Sequence, residues 1–137
     1  MTASPPIRPP RPLRIYVVEN DSDSRQMLTL LLMSWGHEVA SASTMGEALQ
    51  HLPGHRYDVL ISDLGLPDGS GWQLMERLRE LGAENAGYPI AMSGYGMGGD
   101  LEKSRAAGFR HHLVKPMDIE QLDRLLLEAT RELDAGT

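Results

Sequence analysis

The chain has 137 residues, of which 41% are hydrophobic, a net charge of -6 and no cysteine. This length fits one domain with one core, and the missing cysteine excludes disulfides, thiolate zinc sites and cysteine nucleophiles. The acidic balance argues against nucleic acid or an anionic membrane as a partner. Because the sequence has neither a membrane-length apolar run nor a signal-peptide pattern, we expect a cytoplasmic protein.

Proline dominates the start of the chain. Residues 1–13 are predicted to be a proline-rich tail or linker, residues 14–133 the folded domain, and residues 134–137 a short C-terminal tail. The β-branched run at residues 14–18 predicts the first strand, β1. Asp21 or Ser22 can cap the helix that follows, α1, whose apolar residues recur at helical spacing.

Strands and helices then alternate. Residues 37–42 alternate polar and apolar types and predict an edge strand, β2, and a capping box at Thr44 and Glu47 opens α2. The apolar run at residues 59–61 predicts β3, a strand buried on both faces that stops at Asp63. The remaining elements are expected as α3 at 71–81, β4 at 88–92, α4 from a cap at Asp100 to 107, β5 at 111–114, and α5 after Asp118.

Five repeats of strand then helix indicate an α/β fold with a parallel sheet and right-handed crossovers. The most apolar strands are β1, β3 and β4, so they belong in the centre, and β2 and β5 belong at the edges. We therefore predict a doubly wound, five-stranded parallel sheet in the order 2-1-3-4-5, as in flavodoxin-like proteins.

Polar residues follow the strands at the edge where such sheets bind ligands. In the predicted order, that edge brings together Glu19, Asn20, Asp21, Asp63, Ser93 and Lys115. Carboxylates packed together repel one another unless a cation lies among them, and oxygen ligands favour Mg²⁺. A metal beside a carboxylate, a hydroxyl and a lysine is typical of phosphoryl transfer, in which the carboxylate acts as nucleophile.

These motifs together resemble the receiver domains of two-component response regulators, over roughly residues 14–129. The resemblance depends on the acidic residues after β1, Asp63 followed by Leu66-Pro67 and Gly69, Ser93-Gly94, and Lys115-Pro116. It implies that Asp63 is the phosphoacceptor for a histidine kinase, a phosphotransfer protein or a small phosphodonor. It also implies that Ser93 bonds a phosphoryl oxygen, that Lys115 pairs with the phosphoryl charge, and that the peptide bond before Pro116 is cis.

The resemblance implies a Mg²⁺ site formed by Glu19, Asn20, Asp63 and the backbone carbonyl of Gly65. Two positions depart from the family pattern. Asn20 stands where a second carboxylate is usual, so metal affinity should fall; Asp21 could substitute, but we favour Asp21 as the cap of α1. His112 stands where a tyrosine or phenylalanine usually changes position with phosphorylation, so we expect a histidine switch beside Ser93.

The predicted function is that of a phosphorylatable receiver in a phosphorelay, not an enzyme beyond its own Mg²⁺-dependent phosphorylation and dephosphorylation. No output domain is expected after α5, so the output is expected to be a protein contact through the α4–β5–α5 face. The chain is then a stand-alone regulator or a receiver from a hybrid histidine kinase. The alternative is a pseudo-receiver, a binding module independent of phosphorylation, which Asn20 alone favours. A third option is an FMN-binding flavodoxin with the same strand order. Such a protein needs a phosphate-binding loop after β1, where the carboxylates of Glu19 and Asp21 would repel a phosphate unless a cation intervened.

Overall fold

The computed structural model describes residues 11–83, 87–94 and 101–135. Its principal elements are β1 (Arg14–Val18), α1 (Ser22–Ser34), β2 (Glu38–Ala42), α2 (Met45–His51), β3 (Val59–Asp63), α3 (Gly71–Glu80), β4 (Tyr88–Ser93), α4 (Leu101–Ala107), β5 (His111–Val114) and α5 (Ile119–Ala135). A hairpin of two-residue strands, Gly65–Leu66 and Gly69–Ser70, lies between β3 and α3 and was not predicted. The predicted cap Asp100 lies outside the described residues.

The five principal strands form one parallel sheet in the order β2-β1-β3-β4-β5, which confirms the predicted fold. Every residue of β3 is buried, as expected for the central strand. Alternate residues of a strand point to opposite faces, so the sheet divides the core into two layers. Ile15 and Ile61 pack on the layer beneath α1 and α5, whereas Tyr16 and Leu60 pack on the layer beneath α2 and α3.

Side-chain caps fix where the first two helices begin. The carboxylate of Asp21 accepts a hydrogen bond from the backbone N–H of Ser24 at 2.9 Å, so Asp21 caps α1 as we favoured. The hydroxyl of Thr44 accepts from the N–H of Glu47 at 3.0 Å and caps α2. The Glu47 carboxylate accepts from the N–H of Ser43 at 2.9 Å, one residue before the cap. Each such cap is worth about 1 kcal/mol.

The packed unit is wider than residues 14–133. Leu13 is fully buried, and its N–H donates to Nδ1 of His37 at 3.0 Å, because a buried N–H group needs an acceptor. Helix α5 continues to Ala135. The guanidinium of Arg11 lies 3.1 Å from the carboxylate of Asp134, so both ends of the unit meet. Packing therefore includes the residue before position 14, and helix α5 runs past position 133.

None of the helices in the described part of the chain combines the length and the apolar character needed to cross a bilayer.

Candidate functional site

The site lies where β1, β3, β4 and β5 end together. Val18 is level with Ser62 in the parallel register, Asp63 is level with Met92, and Ser93 is level with Val114. The same edge of the sheet is therefore reached by the residue that follows β1, the residue that follows β5, and the last residues of β3 and β4. These residues are Glu19, Lys115, Asp63 and Ser93. The structure thus brings the predicted residues to the carboxyl edge, where ligands bind in this architecture.

Two buried carboxylates share one ammonium group at this edge. Glu19 is 3% exposed and Asp63 is 8% exposed. Nζ of Lys115 lies 3.0 Å from Oδ2 of Asp63 and also contacts Oε1 of Glu19. The other carboxylate oxygen of Glu19 accepts from the N–H of Asp21 at 2.9 Å. Lys115 was predicted beside Asp63, but its contact with Glu19 was not, and it is this contact that joins β1 to β5 across the site.

The pKa values of the three groups follow from this geometry. Burial, followed by the proximity of Glu19, raises the pKa of Asp63 to about 6, although Lys115 opposes the shift. Burial also acts to raise the pKa of Glu19, but its hydrogen bonds, led by Lys115, hold that pKa below its ordinary value. Burial acts to lower the pKa of Lys115, and its two carboxylate partners outweigh burial and raise it. Asp63 therefore has a higher pKa than Glu19 and is the more easily protonated of the two carboxylates.

The remaining predicted metal ligands are on the solvent side of the carboxylates. Asn20 and Gly65 are both exposed, at the end of β1 and in the hairpin after β3. Two buried carboxylates, an amide and a backbone carbonyl would supply only oxygen donors, and such a set fits Mg²⁺ with water completing its shell. The described residues contain no cluster of three histidines, cysteines or carboxylates spaced to hold a metal. The Asp21 carboxylate caps α1 through its Oδ2 atom, as we favoured over a role as a metal ligand.

Ser93 is bonded to the predicted switch residue. Ser93 is 2% exposed, and its hydroxyl oxygen lies 2.5 Å from Nε2 of His112. The neighbouring His111 points to the opposite face of β5, where its Nε2 lies 3.4 Å from a carboxylate oxygen of Glu128. This alternation is the one expected of a strand, and it keeps the two imidazoles apart. His112 is therefore turned toward the site.

Two residues near His112 were missed by sequence reasoning. The hydroxyl of Ser104 lies 3.5 Å from Nδ1 of His112, and it accepts a hydrogen bond from the indole N–H of Trp72 at 3.0 Å. Ser104 is 2% exposed, although it belongs to the short helix α4. A single serine in a helix and a single tryptophan give no sequence signal of a shared contact.

The backbone around Asp63 is held closely. A Cβ added at Gly71 would lie 2.7 Å from the carbonyl oxygen of Asp63, so the start of α3 approaches β3 at a distance that only glycine permits. The Lys115–Pro116 peptide bond is cis, as the resemblance implies.

Comparison with known proteins identifies the family of this chain. The model of the family described as "Response regulator receiver domain" matches residues 15–127. An "Uncharacterized 14.6 kDa protein in sodA1 3'region" of Leptolyngbya boryana is 34% identical, over 82% of this chain and 86% of that protein. The two-component response regulator PhoP of Pseudomonas aeruginosa is 32% identical over 83% of this chain but only 50% of its own length. The sensor protein EvgS of Escherichia coli K12 is 29% identical over 88% of this chain and 10% of its own length.

Solved structures show the same fold. A CheY-like response regulator receiver domain protein from Methanospirillum hungatei superposes with a TM-score of 0.83 at 25% identity, covering 92% of this chain and 99% of that one. A response regulator from Chloroflexus aurantiacus gives a TM-score of 0.80 at 26% identity, covering 88% of this chain and 99% of that one. The chain therefore belongs to the receiver domain family of response regulators, which acts in phosphorelay signalling.

Proposed function

We propose that Asp63 accepts the phosphoryl group in this receiver, from the phosphohistidine of a histidine kinase or phosphotransfer protein. The observation that carries the proposal is the buried Asp63 carboxylate at the end of β3, with Lys115 3.0 Å away and Ser93 on the adjoining strand. Mg²⁺, for which Glu19, Asn20, Asp63 and the Gly65 carbonyl are the proposed ligands, would neutralise phosphoryl charge when bound.

The proposed step is a displacement at phosphorus. A carboxylate oxygen of Asp63 forms a bond to phosphorus as the bond from phosphorus to the donor nitrogen breaks, and the leaving imidazole keeps that electron pair. With a pKa of about 6, Asp63 is mostly ionised at neutral pH and can act as the nucleophile. The Lys115 ammonium would offset the negative charge of the phosphoryl oxygens, and Ser93 would supply a hydroxyl beside them. Attack of water at phosphorus would break the bond to the Asp63 oxygen, release inorganic phosphate and return the carboxylate.

The proposed output is a change in the protein partner's contact with the α4–β5–α5 face, not binding of nucleic acid or a membrane. His112 on β5 and Ser104 on α4 join this face to Ser93 by hydrogen bonds. A phosphoryl group that engages Ser93 would alter the contacts of both elements, which is a local electrostatic event acting on a packed switch. The pseudo-receiver alternative is supported only by Asn20, whereas the contact of Lys115 with Asp63 and the position of Ser93 on the adjoining strand support phosphoryl transfer.

The test is phosphoryl uptake from acetyl phosphate, measured by intact mass with and without Mg²⁺. We expect one phosphoryl adduct that requires Mg²⁺, is lost in Asp63→Asn and is kept in Asp23→Asn, which changes an exposed carboxylate in the first turn of α1. An adduct that persists in Asp63→Asn would refute the assignment of the phosphoacceptor. A folded wild-type protein that takes up no phosphoryl group would instead favour the pseudo-receiver.

A further inference from the structure

Four polar side chains from four elements form a continuous series of contacts that ends at Ser93. The indole Nε1 of Trp72 on α3 lies 3.0 Å from Oγ of Ser104 on α4. Oγ of Ser104 lies 3.5 Å from Nδ1 of His112 on β5, and Nε2 of His112 lies 2.5 Å from Oγ of Ser93 on β4. Both serines are 2% exposed. We call this series, Trp72–Ser104–His112–Ser93, the serine relay.

The direction of donation in the serine relay follows from what each group can do. The indole N–H of Trp72 donates and cannot accept, so Ser104 is an acceptor in that contact. The hydroxyl hydrogen of Ser104 is buried and needs an acceptor of its own. Among the described residues, the side-chain acceptor within reach of Oγ of Ser104 is Nδ1 of His112, at 3.5 Å, and we take the hydroxyl hydrogen to point there.

That direction fixes the tautomer of the imidazole. A neutral imidazole carries one hydrogen, and Nδ1 is the acceptor, so the hydrogen is on Nε2. Nε2–H of His112 then donates to the hydroxyl oxygen of Ser93. Ser93 accepts this bond and keeps its own hydrogen for another acceptor. With the opposite tautomer, Ser93 would donate to His112 and would have no hydrogen left for a phosphoryl oxygen.

We infer that Trp72 and Ser104 are positioning residues for phosphoryl transfer, because they set the polarity of the serine relay and leave the Ser93 hydroxyl free to donate to a phosphoryl oxygen on Asp63. The inference rests on the proposed function of Asp63. It also gives a physical reason for a histidine at position 112. A phenyl or phenol ring has no second ring nitrogen with which to accept from Ser104 while contacting Ser93. The alignment of successive donors strengthens each bond in the series.

The first experiment determines the His112 tautomer in the unphosphorylated wild-type protein. Long-range proton–nitrogen NMR correlations of the ¹⁵N-labelled imidazoles, recorded near neutral pH, distinguish the two tautomers. We expect the hydrogen on Nε2. A hydrogen on Nδ1 would overturn the inference, because Ser104 would then accept twice and Ser93 would donate to His112. This measurement needs neither Mg²⁺ nor phosphorylation, so its result is separate from that of the phosphoryl-uptake test.

The second experiment removes the start of the serine relay. Trp72→Phe deletes the indole N–H but keeps an aromatic ring for Lys103, whose Nζ lies 4.2 Å from the ring centroid. We expect phosphoryl uptake from acetyl phosphate to slow by about fivefold, the factor that one ordinary hydrogen bond is worth, and His112 to become a mixture of tautomers. Trp35→Phe, which replaces the tryptophan that caps α1 on the opposite layer, should leave both readouts unchanged.

A double-variant cycle separates the serine relay from simple packing. Ser104→Ala should slow uptake to a similar extent, and adding Trp72→Phe to it should cause no further loss, because the same series of bonds is already broken. If the two substitutions slow phosphoryl uptake independently and additively, the inference is contradicted. It is also contradicted if both single variants take up the phosphoryl group at the wild-type rate and keep the wild-type tautomer of His112. If the wild-type protein takes up no phosphoryl group, the proposed function fails, and the tautomer measurement still decides the polarity of the serine relay.

Discussion

The substitution Asp63→Asn is predicted to stabilise the protein when Mg²⁺ is removed. Asp63 is 8% exposed, its carboxyl group faces Glu19 as well as Lys115, and the pKa of that group rises from 3.8 to about 6 on folding. Each pKa unit corresponds to about 1.4 kcal/mol, so ionising Asp63 costs the folded state about 3 kcal/mol. Because folding raises this pKa, the penalty is absent below pH 3.8, grows as the pH rises, and is complete above about pH 6. An uncharged amide of the same shape removes the penalty.

The assay is urea denaturation in a chelator at two pH values. The gain in unfolding free energy should be about 3 kcal/mol near pH 7.5 and only about 1 kcal/mol near pH 4.5, where the wild-type carboxyl is largely protonated in the folded state. The control Asp23→Asn, at an exposed position of α1, should change the free energy by less than about 0.5 kcal/mol. No gain at the higher pH, or an equal gain at both, would refute the reasoning that burial and Glu19 oppose ionisation of Asp63.

Three further substitutions test the surroundings of the site. Asp21→Ala should lower the free energy of unfolding by about 1 kcal/mol in urea denaturation and leave phosphoryl uptake intact; loss of Mg²⁺-dependent uptake would show that Asp21 does more than cap α1. Asn20→Asp should tighten Mg²⁺ binding by about tenfold in a calorimetric titration, since it adds a charged ligand, and unchanged affinity would place position 20 outside the metal shell. Gly71→Ala should lower the free energy of unfolding in urea by about 2 kcal/mol and slow phosphoryl uptake, because the added Cβ would lie 2.7 Å from the carbonyl oxygen of Asp63. The control Gly65→Ala should keep its stability, since no atom lies within 4 Å of its added Cβ. Equal stabilities of the two variants would contradict the close approach of α3 to β3.

The sequence alone predicted the structural features that depend on the spacing of apolar residues and on the polar residues that follow each strand. The apolar run that ends at Asp63 identified the central strand, because such runs are buried on both faces. The turn residues after each strand placed Ser93 and Lys115 at the same edge of the sheet. The cap at Asp21 was predicted because its carboxylate can reach the free N–H groups of the first turn of α1. These inferences need only the chain neighbours of each residue, and the strand order followed from the apolar content of each strand.

Contacts between side chains on different elements could not be predicted in this way. Strand period places Lys115 at the carboxyl edge, but it does not determine how far the flexible side chain reaches toward Glu19. The contact of Ser104 with Trp72 depends on how α3 and α4 lie against each other, which no local pattern encodes. Leu13 looked like part of the proline-rich segment because its burial requires an acceptor, on His37, that is remote in sequence.

The contact between Arg11 and Asp134 has a practical consequence for protein engineering. The two residues are 123 positions apart in sequence, and their side chains lie 3.1 Å apart. Domains whose ends lie close together tolerate circular permutation and insertion into the loops of other proteins. This receiver could therefore be grafted as a cassette into a surface loop of a fluorescent or enzymatic host, with short linkers at both junctions.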